Sequence, residues 1–243
     1  MGHIHAGFQP PTNDSFAKMA FQGAKRIASK SSPPKKKKEL LTLQTINKII
    51  ALYTPTGNIL TLRFLVLCLI SFAGFLRISE MLEIKLEDIQ FLNEDIRITI
   101  TKSKTDRLFE GGIVYISRLD STTCPVYWLK EYIKATKLGN NSKAYLMCRL
   151  FKTKYGHSTQ GYKQISYTSA RETFLKHHKN VTHDTSKFGL HSLRSGGATA
   201  AAYAGVSDRL IAKQGRWSSN SSRDGYIKDN HAKRFKVSKT LGI

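Results

Sequence analysis

One uninterrupted apolar run, Phe64 to Leu76, sets the terms on which this chain can fold. Its thirteen residues hold a single hydroxyl, Ser71, and are bounded by Arg63 and Arg77. A bilayer span needs about 18–20 such residues, so the run is too short to cross a membrane. As a helix it would be apolar on every side, and such a helix is stable only when other elements surround it. The run therefore predicts a central buried helix from about Leu60 to Ala73, interrupted by Gly74, in a chain whose 243 residues suffice to enclose it.

Hydrophobic residues make up 40% and charged residues 23%, ordinary globular usage that excludes a wholly disordered chain or a coiled coil. Against this, 39 Lys+Arg face 17 Asp+Glu, a formal net charge of +22. Basic side chains thus stand where acidic ones are usual, which points to a polyanionic partner, nucleic acid first and an anionic membrane surface second. Cys68, Cys124 and Cys148 are odd in number and far apart, with no C-x-x-C pairing. Neither a disulfide framework nor a zinc site is expected, and a reducing compartment fits. Met1-Gly2-His3-Ile4-His5 is not a cationic segment followed by an apolar one, so no secretory signal is read there.

Residues 1–38 carry eight basic side chains against one acid, Asp14, and read as a basic linker with a short helix near Ser15–Ile27. Lys35, Lys36, Lys37 and Lys38 follow two prolines, the pattern of a nuclear import signal or of a strap along a phosphate backbone, and equally of a solvated linker. Folded sequence begins near Leu40. Leu41, Ile46, Ile49, Ile50 and Leu52 recur at helical spacing behind a Thr42 or Thr45 cap. After the apolar helix a short helix passes through Met81 and Leu82. Ile96, Ile98 and Ile100 then alternate with polar residues as a half-buried strand, and Ile113–Ile116 forms the next, with a Lys-, Arg- and Gly-rich hairpin connection between them. Cys124-Pro125 opens a helix to about Thr136. Residues 139–163 read as a long loop with a short strand at Tyr145–Met147, and helices are expected at Tyr167–His178, Ser192–Ala204, Ser207–Gln214 and Ser221–Asp229. The class is α+β, mainly helical, with one small antiparallel sheet.

Chemistry concentrates in the last third. In His191-Ser192-Leu193-Arg194 the His and Arg, three apart, share one helix face, and the small residues that follow allow a second backbone close approach. A helix start bearing both is suited to a phosphate, because free N–H groups and the positive dipole end add to the guanidinium fork. Taken alone, such a pair also fits an ordinary surface. Gln214-Gly215-Arg216-Trp217 follows, and Tyr226 lies nine residues after Trp217, where a core aromatic packed on Trp217 would look the same. Upstream, Arg77 ends the apolar run with Glu80 three residues on, an arrangement shared by structural ion pairs. Lys102 and Lys104 sit in the hairpin turn, where edge-strand protection also places lysines.

Taken together and in order, Arg77, Lys104, His191, Arg194, Trp217 and Tyr226 resemble the ordered set of the tyrosine recombinases, the phage-integrase-like DNA strand-exchange enzymes. The resemblance covers about residues 40–230 and includes the nine-residue Trp-to-Tyr interval. Glu80 matches the family's acidic residue three after its first Arg, and the Ser-Lys-Thr context favours Lys104 over Lys102. Ala73–Glu80 looks most like the eukaryotic mobile-element branch of DIRS, Ngaro and Crypton type. Trp217 stands where His is commoner, and an indole N–H still donates to a phosphate oxygen.

The resemblance implies a metal-free and ATP-free reaction with no cofactor. Arg77 and Arg194 would clamp the scissile phosphate, Tyr226 attack it to form a 3′-phosphotyrosyl bond, His191 accept the phenolic proton and Lys104 protonate the leaving 5′-oxygen. Asp and Glu are too few and too scattered for a two-metal nuclease, which fits arginines as the source of charge. Double-stranded DNA is the implied partner, gripped also by Lys35–Lys38, Lys102 and Arg216, with a homotetramer as the implied assembly and no membrane role. A eukaryotic source would place the protein in the nucleus, any other in the cytoplasm or nucleoid. The expected organisation is a linker or remnant of a core-binding domain over 1–39, a catalytic domain over 40–230 and a tail over 231–243. A catalytically silent DNA-binding module and a type IB topoisomerase-like relaxing enzyme are the alternatives.

Overall fold

The computed structural model describes residues 7, 10–31, 38–54, 57–101, 111–154, 156–229 and 231–241. Two units form, residues 1–37 and 38–243. In the first, helix α1 spans Ser15–Ser31, one turn beyond the expected Ile27. The Asp14 carboxylate starts it by accepting from the backbone N–H groups of Phe16 and Ala17 at 2.9 and 3.1 Å. No side chain of α1 is buried.

The second unit is built around the apolar run. Helix α2, Leu43–Tyr53, is capped by Thr42, whose hydroxyl accepts from Thr45 N at 3.2 Å. Helix α3, Ile59–Ala73, is capped by Asn58 and is buried on every side from Arg63 to Phe72. Helix α4, Ile78–Glu83, follows after a sharp reversal at Gly74 and Phe75. Helix α5, Pro125–Thr136, uses Pro125 at its first position, where the missing N–H costs nothing. Helices α6, Tyr167–His178, α7, His191–Tyr203, α8, Asp208–Gly215, α9, Asn220–Asp224, and α10, His231–Leu241, complete the set. Helix α3 packs against α2, α5 and α7 at once, which is how this sequence hides a helix with no polar face.

Glycine decides how close α7 comes. A Cβ on Gly196 would collide with the carbonyl oxygen of Leu41, and one on Gly197 with that of Phe72 at the end of α3. The Leu41 N–H also donates to Ser192 O at 3.1 Å, so the entry strand is laced to the first turn of α7.

Strands β1, Ile89–Leu92, β2, Asp95–Ile100, and β3, Gly112–Ile116, form an antiparallel sheet in the order β1-β2-β3, with Ile98 opposite Val114. Ile96, Ile98, Ile100, Val114 and Ile116 face the core. Strand β1 escapes the sequence reading because only Ile89 is even half-buried in it. The expected long loop over 139–163 is corrected to a second sheet. Strands β4, Cys148–Thr153, and β5, Gly156–Gln164, form a hairpin with an irregular register at Cys148/Arg149. The expected strand at Tyr145–Met147 is only a single bridge from Tyr145 to Lys85. Both hairpin strands are largely exposed, so they show no apolar alternation to read. Helix α9 stops at Asp224, short of the expected Asp229, and α10 lies in what reads as a tail.

His178 is fully buried, with its ring stacked on Phe174 at 5.2 Å and edge-on to Phe188 at 4.6 Å. Both ring nitrogens lack a hydrogen-bond partner among the described residues. Burial lowers its pKa below the ordinary 6.5, and burial followed by the Lys176 charge lowers that of His177. The unfolded chain therefore binds more protons than the folded one just below pH 6.5, and stability falls as the pH drops through that point. Urea titrations from pH 8 to 5 should show this loss, reduced in His178→Phe. Gly197→Ala should destabilise by about 1–3 kcal/mol through overpacking, about 2–4 °C of Tm per kcal/mol for a domain of this size. Gly189→Ala, in open space, should stay within about 0.5 kcal/mol.

Candidate active site

Where α3 ends, Gly74 and Phe75 turn the chain back, Phe75 at φ +47° in the left-handed region that costs a side chain of this bulk about 1 kcal/mol or more. The reversal makes Arg77 the residue that starts α4 and puts Glu80 in its first turn. The Glu80 carboxylate accepts from the Arg77 backbone N–H at 2.8 Å and from Arg77 Nη1 at 2.7 Å. Arg216 Nη2 donates to the same carboxylate at 2.6 Å, and Arg194 Nη1 lies 3.6 Å away. The Glu80 side chain is completely buried. Burial alone would raise its pKa, but Arg216, the two bonds from Arg77 and the charge of Arg194 outweigh that and hold it below the usual range.

The first turn of α7 supplies His191 and Arg194. The Arg194 side chain has no exposed surface, and its guanidinium donates to Phe75 O and, at 2.6 Å, to Gly215 O. It lies under two rings, 4.6 Å from the centre of Trp217 and 4.9 Å from that of Tyr226. Burial, then repulsion from Arg77, pushes its pKa down to about 10, which leaves it charged at neutral pH. The His191 ring stands 4.9 Å from the Tyr226 ring. Partial burial, then the charges of Arg194 and Arg77, lowers its pKa, so the imidazole is neutral at pH 7 and able to take a proton.

Helix α8 brings Trp217. The indole lies against Gly215, where a Cβ would strike its ring, and Arg216 makes the turn at φ +54°. Trp217 Nε1 is buried with no partner among the described residues. Gln214 fixes the end of α8 from the other side, its Nε2 donating to Ala73 O at 3.0 Å and to Tyr115 O at 2.9 Å. Tyr226 follows α9, packed on Trp217 at 5.0 Å between ring centres. Its hydroxyl has no hydrogen-bond partner among the described residues. The backbone around it is held by Thr199, which donates to Tyr226 O at 3.4 Å and accepts from Lys228 N at 3.1 Å. Arg223, nearly buried, bridges Asp208 at 3.1 Å and Asp224 at 2.8 Å and so ties α9 to α8.

Arg77, Glu80, His191, Arg194, Trp217 and Tyr226, spread over 150 residues of sequence, thus meet in one place. Lys102, Lys104, Lys35, Lys36 and Lys37 lie outside the described residues. Lys38 is exposed, and its ammonium donates to Ser186 O. Arg216, read from sequence as a DNA contact, joins the same ion cluster as Arg77 and Arg194: its side chain is 11% exposed and its guanidinium donates to Glu80. Burial, offset by Glu80, lowers its pKa. The sequence reading passed over Gln214, Thr199 and Arg223, which hold the site without belonging to it. Gln214 stands inside a string already singled out, whereas the tie from Arg223 to α8 runs to Asp208, fifteen residues away, and leaves no local signal. Among the described residues no cluster of three or more His, Cys, Asp or Glu is placed to hold a metal, and no helix is long and apolar enough to cross a membrane.

The architecture and the site have relatives. The chain is 26% identical over 230 residues to an integrase/recombinase xerD homolog of Selenomonas ruminantium, covering 94% of this chain and 65% of that protein. Among solved structures it is similar in fold to the XerH site-specific recombinase bound to a palindromic difH substrate in a post-cleavage complex, with a TM-score of 0.63, 17% identity, and coverage of 88% of this chain and 55% of that one. It is similar also to the XerA recombinase, with a TM-score of 0.62, 14% identity, and coverage of 87% and 66%. A lambda integrase tetramer bound to a Holliday junction matches with a TM-score of 0.54 and 15% identity, over 82% of this chain and 50% of that one. The chain therefore spans about two thirds or less of the length of these relatives. Residues 39–233, from the entry strand laced to α7 to just past Tyr226, match the phage integrase family throughout, and the chain belongs to that family, the tyrosine recombinases.

Proposed function

We propose that this chain is the catalytic part of a site-specific recombinase that breaks and rejoins double-stranded DNA through a tyrosyl intermediate. The observation that carries the reading is the convergence of Tyr226, His191 and Trp217 over a buried Arg194 that shares Glu80 with Arg77. In this reading Arg77 and Arg194 neutralise the non-bridging oxygens of one phosphodiester. The Tyr226 hydroxyl attacks phosphorus and its proton passes to neutral His191. The bond to the 5′-oxygen breaks, and that oxygen takes a proton from Lys104. The phosphate is left esterified to Tyr226 at the 3′ end. Because the diester is exchanged and not hydrolysed, a 5′-hydroxyl from a second duplex reverses the attack with no input of ATP.

The rings of Tyr226 and Trp217 cover Arg194 in the free protein, so a phosphate reaches that guanidinium only when the Tyr226 ring lifts away. The loss is a cation–π contact, of order 0.5–2 kcal/mol, and charge-assisted bonds to the phosphate replace it. The Trp217 N–H, without a partner among the described residues, is a further donor for that phosphate. Four protomers on two duplexes are the proposed assembly, and residues 1–39 are proposed to be a basic linker or the remnant of a core-binding domain. A eukaryotic mobile-element lineage of DIRS, Ngaro or Crypton type rests on the style of Ala73–Glu80 alone, while the Selenomonas relative is bacterial; the catalytic proposal is the same for either.

Incubation with a nicked duplex substrate, which traps the intermediate, should give a covalent protein–DNA adduct resolvable by denaturing electrophoresis. Tyr226→Phe should abolish the adduct and leave duplex affinity within about two-fold; an adduct that persists in this variant overturns the assignment of the nucleophile. The lowered pKa of His191 puts the loss of its base form below pH 6.5. Single-turnover cleavage should therefore be level through neutral pH and fall only on the acid side of 6.5, and His191→Gln should be slower by about 10²–10⁴-fold and lack that acid limb.

A further inference from the structure

Among the described residues, the buried arginines other than Arg63 come with carboxylates. Arg194 and Arg216 have Glu80, and Arg223 has Asp208 and Asp224. Arg63, in α3, does not. It is 8% exposed, and its one hydrogen bond among the described residues runs from Nη1 to Cys148 O at 2.9 Å. A guanidinium has five N–H donors, so this one bond leaves most of those on Arg63 for another acceptor. Arg63 lines a polar cleft of about 300 Å³, whose other walls include Arg149 and Gln160 of the β4–β5 hairpin and Ser166 and Ser169 at the start of α6. Ser166 caps α6 by accepting from Ser169 N at 3.1 Å, so the positive end of a twelve-residue helix opens beside both arginines. Burial lowers the pKa of Arg63, and no carboxylate is among the groups that act on it.

A buried cation without a counter-ion, a second arginine, two hydroxyls and a helix N-terminus around one cleft make a receptor for a tetrahedral anion. We propose that this cleft is a second phosphate socket and that it holds a backbone phosphate of the DNA flanking the cleaved position. The proposal rests on the reading of the chain as a DNA enzyme. Arg149 and Ser166 also line a neighbouring groove of about 510 Å³ with Tyr162, Lys163 and Tyr167, which gives the strand a basic and aromatic path out of the socket. The hairpin is joined to the catalytic centre through α4: Gln164 Nε2 donates to Glu83 Oε1 at 2.9 Å.

The test is duplex binding by the full chain, read by fluorescence anisotropy over a range of salt concentrations. Arg63→Met should weaken binding roughly ten-fold and lower the slope of log K against log salt by about 1. Ser169→Asp is the companion variant, because an acid in the first turn of α6 supports the helix while repelling a phosphate. It should keep the wild-type melting temperature and lose duplex affinity. In a duplex scanned with neutral methylphosphonates, one position away from the cleaved bond should weaken the wild type and be silent in both variants. Wild-type affinity and slope in the variants overturn the proposal. So does a melting temperature raised by inorganic phosphate in the wild type alone with no sensitive position in the scan, which makes the cleft a site for free phosphate. A wild-type chain that binds no duplex instead defeats the reading of the chain as a DNA enzyme.

Discussion

A single buried carboxylate organises this protein. Three guanidinia, from Arg77, Arg194 and Arg216, come within hydrogen-bonding or ion-pair distance of Glu80, and without it their mutual repulsion would drive the three segments apart. Each arginine comes from a different part of the chain, the turn before α4, the first turn of α7 and the end of α8. The ion cluster therefore does for the polar end of the core what the apolar run of α3 does for its centre. It also leaves the charge unbalanced, three cations to one anion. The deficit faces the place where a phosphodiester is proposed to bind, so the folded state is short of the charge that its substrate would supply.

Backbone carbonyls carry much of the remaining organisation. Phe75 O and Gly215 O accept from Arg194, Ala73 O and Tyr115 O from Gln214, and Cys148 O from Arg63. Carbonyls at the ends of helices have no intrahelical partner, and here long side chains from other elements occupy several of them. This is why the reversal at Gly74 and Phe75 is held so firmly although Phe75 sits in an unfavourable backbone region. The turn gains more from the donors it meets than it loses in strain.

The sequence carried the centre of the fold and the members of the site, and not the means by which they meet. The buried helix followed from thirteen apolar residues, the cap at Thr42 from a hydroxyl before a periodic run, and β2 and β3 from alternating isoleucines. The β4–β5 hairpin left no trace because both its faces are wet. The pairing of Arg216 was illegible for a physical reason: an arginine beside a tryptophan has the same local spelling whether or not its fork meets a carboxylate 136 residues away. Arg63 was visible only as the edge of the apolar run, and its lack of a counter-ion is a fact of three dimensions. The order of Arg77, His191, Arg194, Trp217 and Tyr226 was legible as a family pattern, whereas the shielding of Arg194 by two rings was not.

Residue Lys38, where the second unit begins, is not a loose entry. Its carbonyl takes the ammonium of Lys228, two residues past Tyr226, at 2.9 Å. Three residues on, Leu41 is laced to Ser192 beside His191. The incoming chain is thus stitched to the strand that carries the tyrosine and to the helix that carries the histidine. Residues 38–41 thereby fix the spacing between the segment after Tyr226 and the first turn of α7, so one short stretch of backbone sets two sides of the candidate site at once.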